Sequence, residues 1–305
     1  MSVLARPAVA ALAAKGFQRL ALLSERRSAP VRLPEFPGNT RELTIPTSIA
    51  PARAVVYSPA NADGQPPVHV NFHGGGYVLP LPGLDDLLCR YLAAEAGVVV
   101  VNVDYVVAPQ HRFPEPTRQG FEVVRWVAEH GAEHGWDGAR LTIGGQSAGG
   151  GLAAAVARQA LEEGGPAIAL QVLHYPPLDL ATNFKDKRSS LAKPALRPWM
   201  ADIFDNSYVP DRRDRADRLV SPGNPADTAD LTGIAPAMVI TAEFDLLRAE
   251  AERYAERLRA AKALVEHHEV TGADHGYDVK DDARAREVYS LIAAQVRQAT
   301  QDKAA

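Results

Sequence analysis

A serine flanked by glycines stands at the most informative point of the chain. Gly145, Ser147 and Gly149 form a G-x-S-x-G pentapeptide between a β-rich run that begins at Leu141 and the Ala-rich stretch Leu152–Glu163. A sharp strand-to-helix turn of this kind presents the serine hydroxyl at the top of a sheet, where it can act as a nucleophile. Glycines two residues before and after the serine let strand and helix approach each other. The pentapeptide alone is also compatible with a glycine-rich joint that has no chemical role.

A second glycine cluster could stabilise the negative charge that a serine nucleophile creates on a carbonyl substrate. His73-Gly74-Gly75-Gly76-Tyr77 directly follows the apolar run Val68–Phe72. Consecutive glycines let backbone amides turn into a cavity, and a tetrahedral acyl-transfer intermediate needs such donors. The amide of Ala148, near the positive end of a helix dipole, points to the same charge. The alternative for the glycine cluster is a flexible surface loop.

A serine hydroxyl is a poor nucleophile until a base takes its proton, and a carboxylate must hold that base in one tautomer. His275 follows the strand-like run Leu264–Val270, and Asp245 follows a strand-like run over 237–244. Ligand sites collect at the carboxyl ends of strands in open α/β sheets. The sequence therefore predicts His275 as the base and Asp245 as the acid that orients it.

The choice of acid has alternatives. Glu243 and Asp274 are near neighbours in the sequence, and Asp245 could instead cap a helix that begins at Leu246. His267 and His268 would point to opposite faces of a strand, so they cannot both serve one site. We interpret these two histidines as ordinary strand residues.

The elements that must position these groups alternate along the chain. Strand-like runs are Glu42–Pro46, Arg53–Ser58, Val68–Phe72, Val98–Tyr105, Leu141–Gly145, Ile168–Tyr175, Ala237–Ala242 and Leu264–Val270. Helical stretches are Asp85–Ala96, Thr117–His130, Ala148–Glu163, Leu247–Ala263 and Ala283–Ala299. Antiparallel entry strands followed by β-α alternation predict an α/β fold: a mostly parallel, twisted, eight-stranded sheet with helices on both faces.

We expect a single domain over residues 1–305, with a small helical cap formed by about 1–40 and about 180–225. The insertion that starts at Asp179 is long, and long excursions at this end of a sheet usually carry function. Its alternative is a packing excursion that its aromatic residues merely anchor.

The stretch Val9–Leu23 allows two interpretations. A signal peptide is one, but Lys15 and Arg19 interrupt the apolar run. An amphipathic helix fits better, with Leu12, Leu20 and Leu23 near one face. Such a face could pack as part of the cap, or it could touch lipid.

Composition excludes several classes of function. The chain has 305 residues, 46% of them apolar, which is enough for a large single core. Its net charge of -4 offers no basic patch for nucleic acid. Cys89 is the only cysteine, so no internal disulfide forms, and we predict a cytoplasmic protein with Cys89 as a buried apolar residue. No stretch is long and apolar enough to span a bilayer.

The motifs together resemble the hormone-sensitive-lipase-like branch of the α/β-hydrolases, which includes many microbial carboxylesterases. The matching stretches are His73-Gly-Gly-Gly-Tyr77, Asp104-Tyr105, Ala108-Pro109, Phe113-Pro114, Gly145–Gly150, Tyr175-Pro176, Ser221-Pro222, Asp245 at its strand end and His275-Gly276. The resemblance implies the α/β-hydrolase fold, Ser147, Asp245 and His275 as a catalytic triad, and an oxyanion hole made of the amides of Gly75, Gly76 and Ala148.

Five positions depart from the usual pattern of this family. Gln146 stands where an acid is commonest, Val106 and Gln110 replace an Arg and a Glu, Gln119 replaces an Asp, and Leu246 replaces a Pro. The first four changes remove charges of both signs. One hypothesis is that neutral hydrogen bonds replace one buried ionic network, an exchange that need not destabilise a protein.

The resemblance implies a serine carboxylesterase that cleaves short- to medium-chain acyl esters through an acyl-enzyme, with no metal or organic cofactor. The alternatives are a long-chain lipase, an amidase or lactonase, and a non-catalytic ligand-binding relative, against which the presence of His275 argues. The expected partner is a small-molecule ester. Lipid contact through the N-terminal helix and a homodimer formed through a sheet edge are further expectations.

Overall fold

The computed structural model describes residues 3–25, 31–60 and 64–301. Its strands are β1 Thr40–Ile45, β2 Ala52–Tyr57, β3 Pro67–Phe72, β4 Val99–Asp104, β5 Asp137–Gln146, β6 Ile168–His174, β7 Ala237–Ala242 and β8 Leu264–Val270. Its α-helices are α1 Pro7–Glu25, α2 Asp86–Glu95, α3 Glu115–Glu129, α4 Gly131–His134, α5 Ala148–Glu163, α6 Pro198–Tyr208, α7 Arg248–Ala260 and α8 Asp282–Gln301. Single 3-10 turns include Pro82–Asp85 and Tyr277–Val279.

The eight strands form one sheet in the order β1-β2-β4-β3-β5-β6-β7-β8. The pairs β1–β2 and β2–β4 are antiparallel, and every pair from β4–β3 to β7–β8 is parallel. This arrangement confirms the predicted fold class. The carboxyl ends of β3, β5, β7 and β8 therefore lie at one edge, where the loops that carry the candidate site residues begin.

Both faces of the sheet are buried, which explains the β-branched runs in the sequence. Along β4, Val99 and Val101 belong to one hydrophobic cluster, whereas Val100 belongs to the other. Successive strand side chains point to opposite faces, so a valine run suits a strand that has helices on both sides. Cys89 lies in α2 and is fully buried, as predicted.

Some element boundaries differ from the predicted ones. The helix predicted over Leu247–Ala263 runs only from Arg248 to Ala260, because the chain reverses through Lys262, which has a φ of 59°, into β8. Strand β5 begins at Asp137, four residues before the predicted start. The four-residue helix α4 was absent from the predicted elements, since one turn carries no recognisable period.

The N-terminal segment forms helix α1, but its buried face is not the predicted one. Leu12, Leu20 and Leu23 are exposed by 73%, 64% and 58%, whereas Ala14 and Gln18 are buried. The leucine positions were therefore wrong as a guide to packing. The face that packs carries Ala14, Phe17 and Gln18 instead. No helix in the described part of the chain is long and apolar enough to cross a membrane.

Helix α1 lies against helix α6 and the loop that follows the glycine cluster. The rings of Phe17 and Trp199 stack with centroids 5.9 Å apart. Gln18 donates hydrogen bonds from Nε2 to the carbonyl oxygens of Val78, at 2.8 Å, and Ala108, at 3.0 Å. These contacts place α1 beside the edge of the sheet at which the candidate site lies.

Candidate active site

Ser147 occupies the turn between β5 and α5 in a backbone conformation that non-glycine residues seldom adopt, with φ 52° and ψ −121°. The two flanking glycines make this turn sterically feasible. A Cβ on Gly145 would lie 2.2 Å from the carbonyl oxygen of Phe72, and a Cβ on Gly149 would lie 1.7 Å from the same atom. Any side chain at either position would therefore push β3 away from the turn, as the glycine spacing predicts.

His275 and Asp245 complete a chain of hydrogen bonds that ends at Ser147. His275 Nε2 lies 2.9 Å from Ser147 Oγ, and His275 Nδ1 lies 2.7 Å from Asp245 Oδ2. The side chains of His275 and Asp245 are 10% and 1% exposed. Three residues that are distant in the sequence thus converge in the order that proton transfer from a serine requires.

Asp245 also receives the amide of Leu247 on its second oxygen, Oδ1, at 3.0 Å. Leu247 is the residue that precedes helix α7. The capping interpretation of Asp245 was wrong, because α7 begins at Arg248 with Leu247 as its N-cap residue and no side-chain cap bond; Asp245 instead bonds the Leu247 amide with one oxygen and the imidazole with the other. This anchoring fixes the carboxylate so that its other oxygen stays directed at the imidazole.

The other acids considered from the sequence are engaged elsewhere. Glu243 accepts the amide of Gly272 at 2.6 Å, and Asp274 accepts the amides of His275, at 2.7 Å, and Ala195, at 2.6 Å. Asp274 thus contacts the backbone of His275 rather than its ring. His267 bonds Thr241 across β7 and β8, as an ordinary strand residue would.

The environment of His275 favours its charged form. Burial lowers the pKa of His275, but the charge of Asp245 and its hydrogen bond outweigh this effect, with smaller contributions from Asp278 and Asp274. The pKa is therefore raised above the ordinary value of 6.5. A raised pKa strengthens the imidazole as a proton acceptor once it is neutral.

The glycine cluster forms a loop against Ser147. Gly75 and Gly76 have φ values of 128° and 63°, which side chains rarely allow. Within the described residues, no acceptor takes their amides, whereas the Gly74 amide donates to Asp85 Oδ1 at 3.2 Å. Ala148 is the first residue of α5, so its amide has no acceptor inside that helix. These three amides therefore have no acceptor among the described residues.

A cavity of about 260 Å³ opens in front of Ser147. The glycine loop, Ser147 and His275 form its floor, and most of the remaining wall is apolar. The wall residues include Leu79, Leu84, Met200, Phe204, Leu247 and Val279. Met200 and Phe204 come from α6, so the inserted segment over 180–225 contributes directly to this cavity. An apolar pocket with a few convergent polar groups suits a small organic molecule.

The structure also shows a buried polar cluster behind Ser147 that the sequence reasoning missed. Asp278 accepts hydrogen bonds from Tyr175, at 2.8 Å, and Tyr289, at 2.6 Å, and it contacts Gln146 Nε2. The Tyr175 ring lies 4.7 Å from that of His275. The only sequence signal was an acid three residues after the predicted base.

The hypothesis that neutral hydrogen bonds replace charges agrees with the contacts of Gln119 and Gln110 but not with those of Gln146. Gln146 contacts the carboxyl group of Asp278, whereas Gln119 bonds the backbone amide of Val106, and Gln110 pairs with Gln18. The four departures from the family pattern therefore lie in three groups of contacts, since Val106 and Gln119 bond each other. At Gln146 an acid is close by, since Asp278 supplies it from another part of the chain.

No group of three or more His, Cys, Asp or Glu side chains in the described part of the chain could hold a metal ion. The polar groups in the cavity are those of the glycine loop, the serine and the histidine, together with Asp85, Gln146, Tyr175 and Arg197. The arrangement places a serine hydroxyl beside an imidazole that a carboxylate contacts, next to a glycine loop with amides that have no acceptor among the described residues. These are the requirements of acyl transfer.

Comparison with known proteins finds a matching family model and relatives that are named as esterases. A family model described as the α/β-hydrolase fold matches residues 69–279. Carboxylesterase NlhH of Mycobacterium tuberculosis is 37% identical over 263 residues, which cover 84% of this chain and 80% of the relative. Esterase LipI of the same organism is 35% identical over 250 residues, which cover 77% and 74%.

Among solved structures, an esterase from Pyrobaculum calidifontis superposes with a TM-score of 0.81 at 31% sequence identity. The match covers 95% of this chain and 92% of the archaeal one. The likeness therefore takes in nearly the whole of both chains.

Proposed function

Because this chain belongs to the hormone-sensitive-lipase-like carboxylesterases of the α/β-hydrolase fold and is a carboxylic ester hydrolase, we propose that it cleaves short- to medium-chain acyl esters with Ser147 as the nucleophile. The observation that carries the proposal is the hydrogen-bond chain Ser147–His275–Asp245, at 2.9 and 2.7 Å. The proposed reaction needs no metal and no organic cofactor.

In the first half of the reaction, His275 takes the proton of Ser147 as the serine oxygen attacks the ester carbonyl. Asp245 holds the imidazole with Nδ1 protonated, so that Nε2 is free to accept. The amides of Gly75, Gly76 and Ala148 stabilise the oxyanion of the tetrahedral intermediate. His275 then gives its proton to the leaving alcohol, which departs and leaves an acyl group on Ser147.

In the second half, a water molecule takes the place of the alcohol. His275 removes a proton from the water, the resulting nucleophile attacks the acyl carbonyl, and the same amides hold the second oxyanion. Return of the proton to Ser147 releases the carboxylic acid. Since the raised pKa of His275 makes it the stronger base, the same group can serve both halves.

The contacts between α1 and α6 support the proposal that these two helices form a cap over the cavity. Helix α6 lines the cavity, and α1 packs on α6 through Phe17 and Trp199. In this proposal the N-terminal helix supports the roof, and the segment over 180–225 forms it. The residues of this segment that line the cavity, Met200 and Phe204 among them, limit its depth.

Phe204 sets the length of acyl chain that the cavity takes. A Cβ on Gly76 would lie 2.6 Å from the Phe204 ring, so the ring closes the pocket directly over the glycine loop. We expect Phe204→Ala to move the optimum of a p-nitrophenyl ester series, from acetate to laurate, toward longer chains. The gain on the first ester beyond the wild-type optimum should be about tenfold in kcat/KM.

The matched control is Trp199→Ala, which alters the same helix at a side chain that stacks on Phe17 rather than facing the cavity. It should keep the wild-type chain-length profile. An unchanged profile in Phe204→Ala would contradict the assignment of Phe204. Faster hydrolysis of emulsified long-chain triacylglycerol than of a soluble butyrate ester would favour the lipase alternative.

The pH dependence of the reaction should report His275. A protonated imidazole cannot accept the serine proton, so kcat/KM must rise as pH passes through the pKa of His275 in the free enzyme. Because that pKa is raised, we expect the midpoint of the rise above pH 6.5. Initial rates on a soluble ester between pH 5 and pH 8 measure it, and a flat profile would exclude His275 as the base.

A further inference from the structure

Asp85 is a buried acid that the proposed reaction does not use. It ends the 3-10 turn Pro82–Asp85 and is 2% exposed. Its Oδ1 accepts the amide of Gly74 at 3.2 Å, and its Oδ2 accepts Asn71 Nδ2 at 3.1 Å. Burying a carboxyl group is costly unless its oxygens are bonded, so both bonds are structurally significant.

The carboxyl group lies at the wall of the cavity and next to the nucleophile. A Cβ built on Gly74 would lie 3.8 Å from Asp85 Oδ1 and 3.8 Å from the Cβ of Ser147. Gly74 is thus inserted between the two side chains, and Asp85 lines the same cavity as Ser147. Asp85 is therefore linked to Ser147 through the backbone of Gly74.

We propose that Asp85 is a positioning residue of the ester hydrolase, which anchors the glycine loop through the Gly74 amide and sets the charge beside the oxyanion. This inference rests on the proposed function of Ser147. Anchoring Gly74 leaves the amides of Gly75 and Gly76 without an acceptor in the described residues, so that they are free for the substrate. The bond therefore determines which glycines of the loop can serve as donors.

The negative charge on Asp85 slows hydrolysis, whereas its hydrogen bond to the Gly74 amide supports hydrolysis. An ionised carboxylate close to a developing oxyanion, in a cavity with mostly apolar walls, opposes the charge that forms in the transition state. A protonated carboxyl group does not. Asp85 should therefore permit hydrolysis when neutral and restrain it when ionised, while it holds Gly74 in both forms.

The surroundings of Asp85 place the loss of its proton near neutral pH. Burial raises the pKa of Asp85 to about 7, against the lowering effect of the bonds from Asn71 and Gly74. The charge of Asp278, from the turn after His275, acts in the same direction as burial. The other titratable groups that face it are Cys89 of α2, Tyr105 after β4 and Tyr289 of α8.

These two titrations predict a bell-shaped profile. As pH rises, loss of the proton from His275 increases kcat/KM, whereas loss of the proton from Asp85 decreases it. Because the two groups titrate close together, the pKa values read from the rising and falling limbs of the profile belong to the pair rather than to either group alone. Removing the charge at position 85 should abolish the falling limb and leave the rising one.

The test compares kcat/KM for a soluble p-nitrophenyl ester between pH 5 and pH 9 in wild type, Asp85→Asn and Asp85→Ala, read at the isosbestic wavelength of the product. Asp85→Asn keeps an acceptor for Gly74, so we expect a rise to a plateau with no alkaline fall. Asp85→Ala removes the anchor but no oxyanion donor, so we expect a loss of about 10- to 100-fold at every pH, smaller than the roughly 10²- to 10³-fold cost of a lost donor.

The matched control is Asp86→Asn, since Asp86 bonds Tyr57 and Arg90 away from the cavity. It should retain the bell shape. An alkaline fall that persists in Asp85→Asn, or full activity in Asp85→Ala, would overturn the inference. Labelling of Ser147 by a serine-directed phosphonate in each variant separates the two proposals, because failure of the role of Asp85 leaves that label in place.

Discussion

Replacement of Ser147 by alanine is expected to lower kcat for a soluble ester by about 10⁴-fold or more, because no other group replaces the attacking oxygen. The substitution removes one oxygen atom and keeps the Cβ, so the φ of 52° at this turn is no more strained than before. The variant should therefore unfold at the wild-type temperature. Steady-state rates and a thermal unfolding curve measure both expectations.

Ser290→Ala is the control for Ser147→Ala, since this serine is exposed on α8 and bonds the carbonyl of Glu287 and the side chain of Tyr91, neither of which lines the cavity. It should have wild-type turnover. Retention of more than about 1% of wild-type kcat in Ser147→Ala would mean that another nucleophile performs the reaction.

Replacement of Asp245 by asparagine is expected to lower kcat by about 10³- to 10⁴-fold with little change in fold. The amide can still accept the Leu247 amide through its oxygen. Its nitrogen then faces His275 Nδ1 as a donor and favours the tautomer in which Nε2 carries the proton. That tautomer cannot take a proton from Ser147.

The control for Asp245→Asn is Glu243→Gln, an acid two residues away that bonds only the Gly272 amide across an exposed turn. We expect rates within a few-fold of wild type. Equal losses in the two variants would show that neither acid has a specific role, and a larger loss in Glu243→Gln would reverse the assignment.

Patterns with a strong local cause were predictable from the sequence. Gly145 and Gly149 are required because β3 passes within 2.2 Å of where their side chains would lie, so the glycine spacing marks the turn. The valine run of β4 is buried on both faces, so it indicates a strand within a covered sheet. His275 and Asp245 follow such strands, which places both at the same edge.

Features that depend on the three-dimensional contacts of single residues were not predictable. Asp278 and Asp85 belong to no spacing pattern, and their importance comes from burial next to Ser147. Gln146 looked like a lost charge, yet Asp278 brings a carboxyl group to it from 132 residues away. The leucines of α1 matched a helical face, but the helix buries the face that carries Ala14 and Gln18.

The most direct test of the central claim, that the hydroxyl of residue 147 is activated by His275, is mapping of the adduct left by a serine-directed phosphonate. We expect one adduct per chain, located on Ser147 by peptide mass spectrometry, formed at the rate of loss of esterase activity and nearly absent in His275→Ala. An adduct on a different residue, or undiminished labelling of Ser147 without His275, would contradict it.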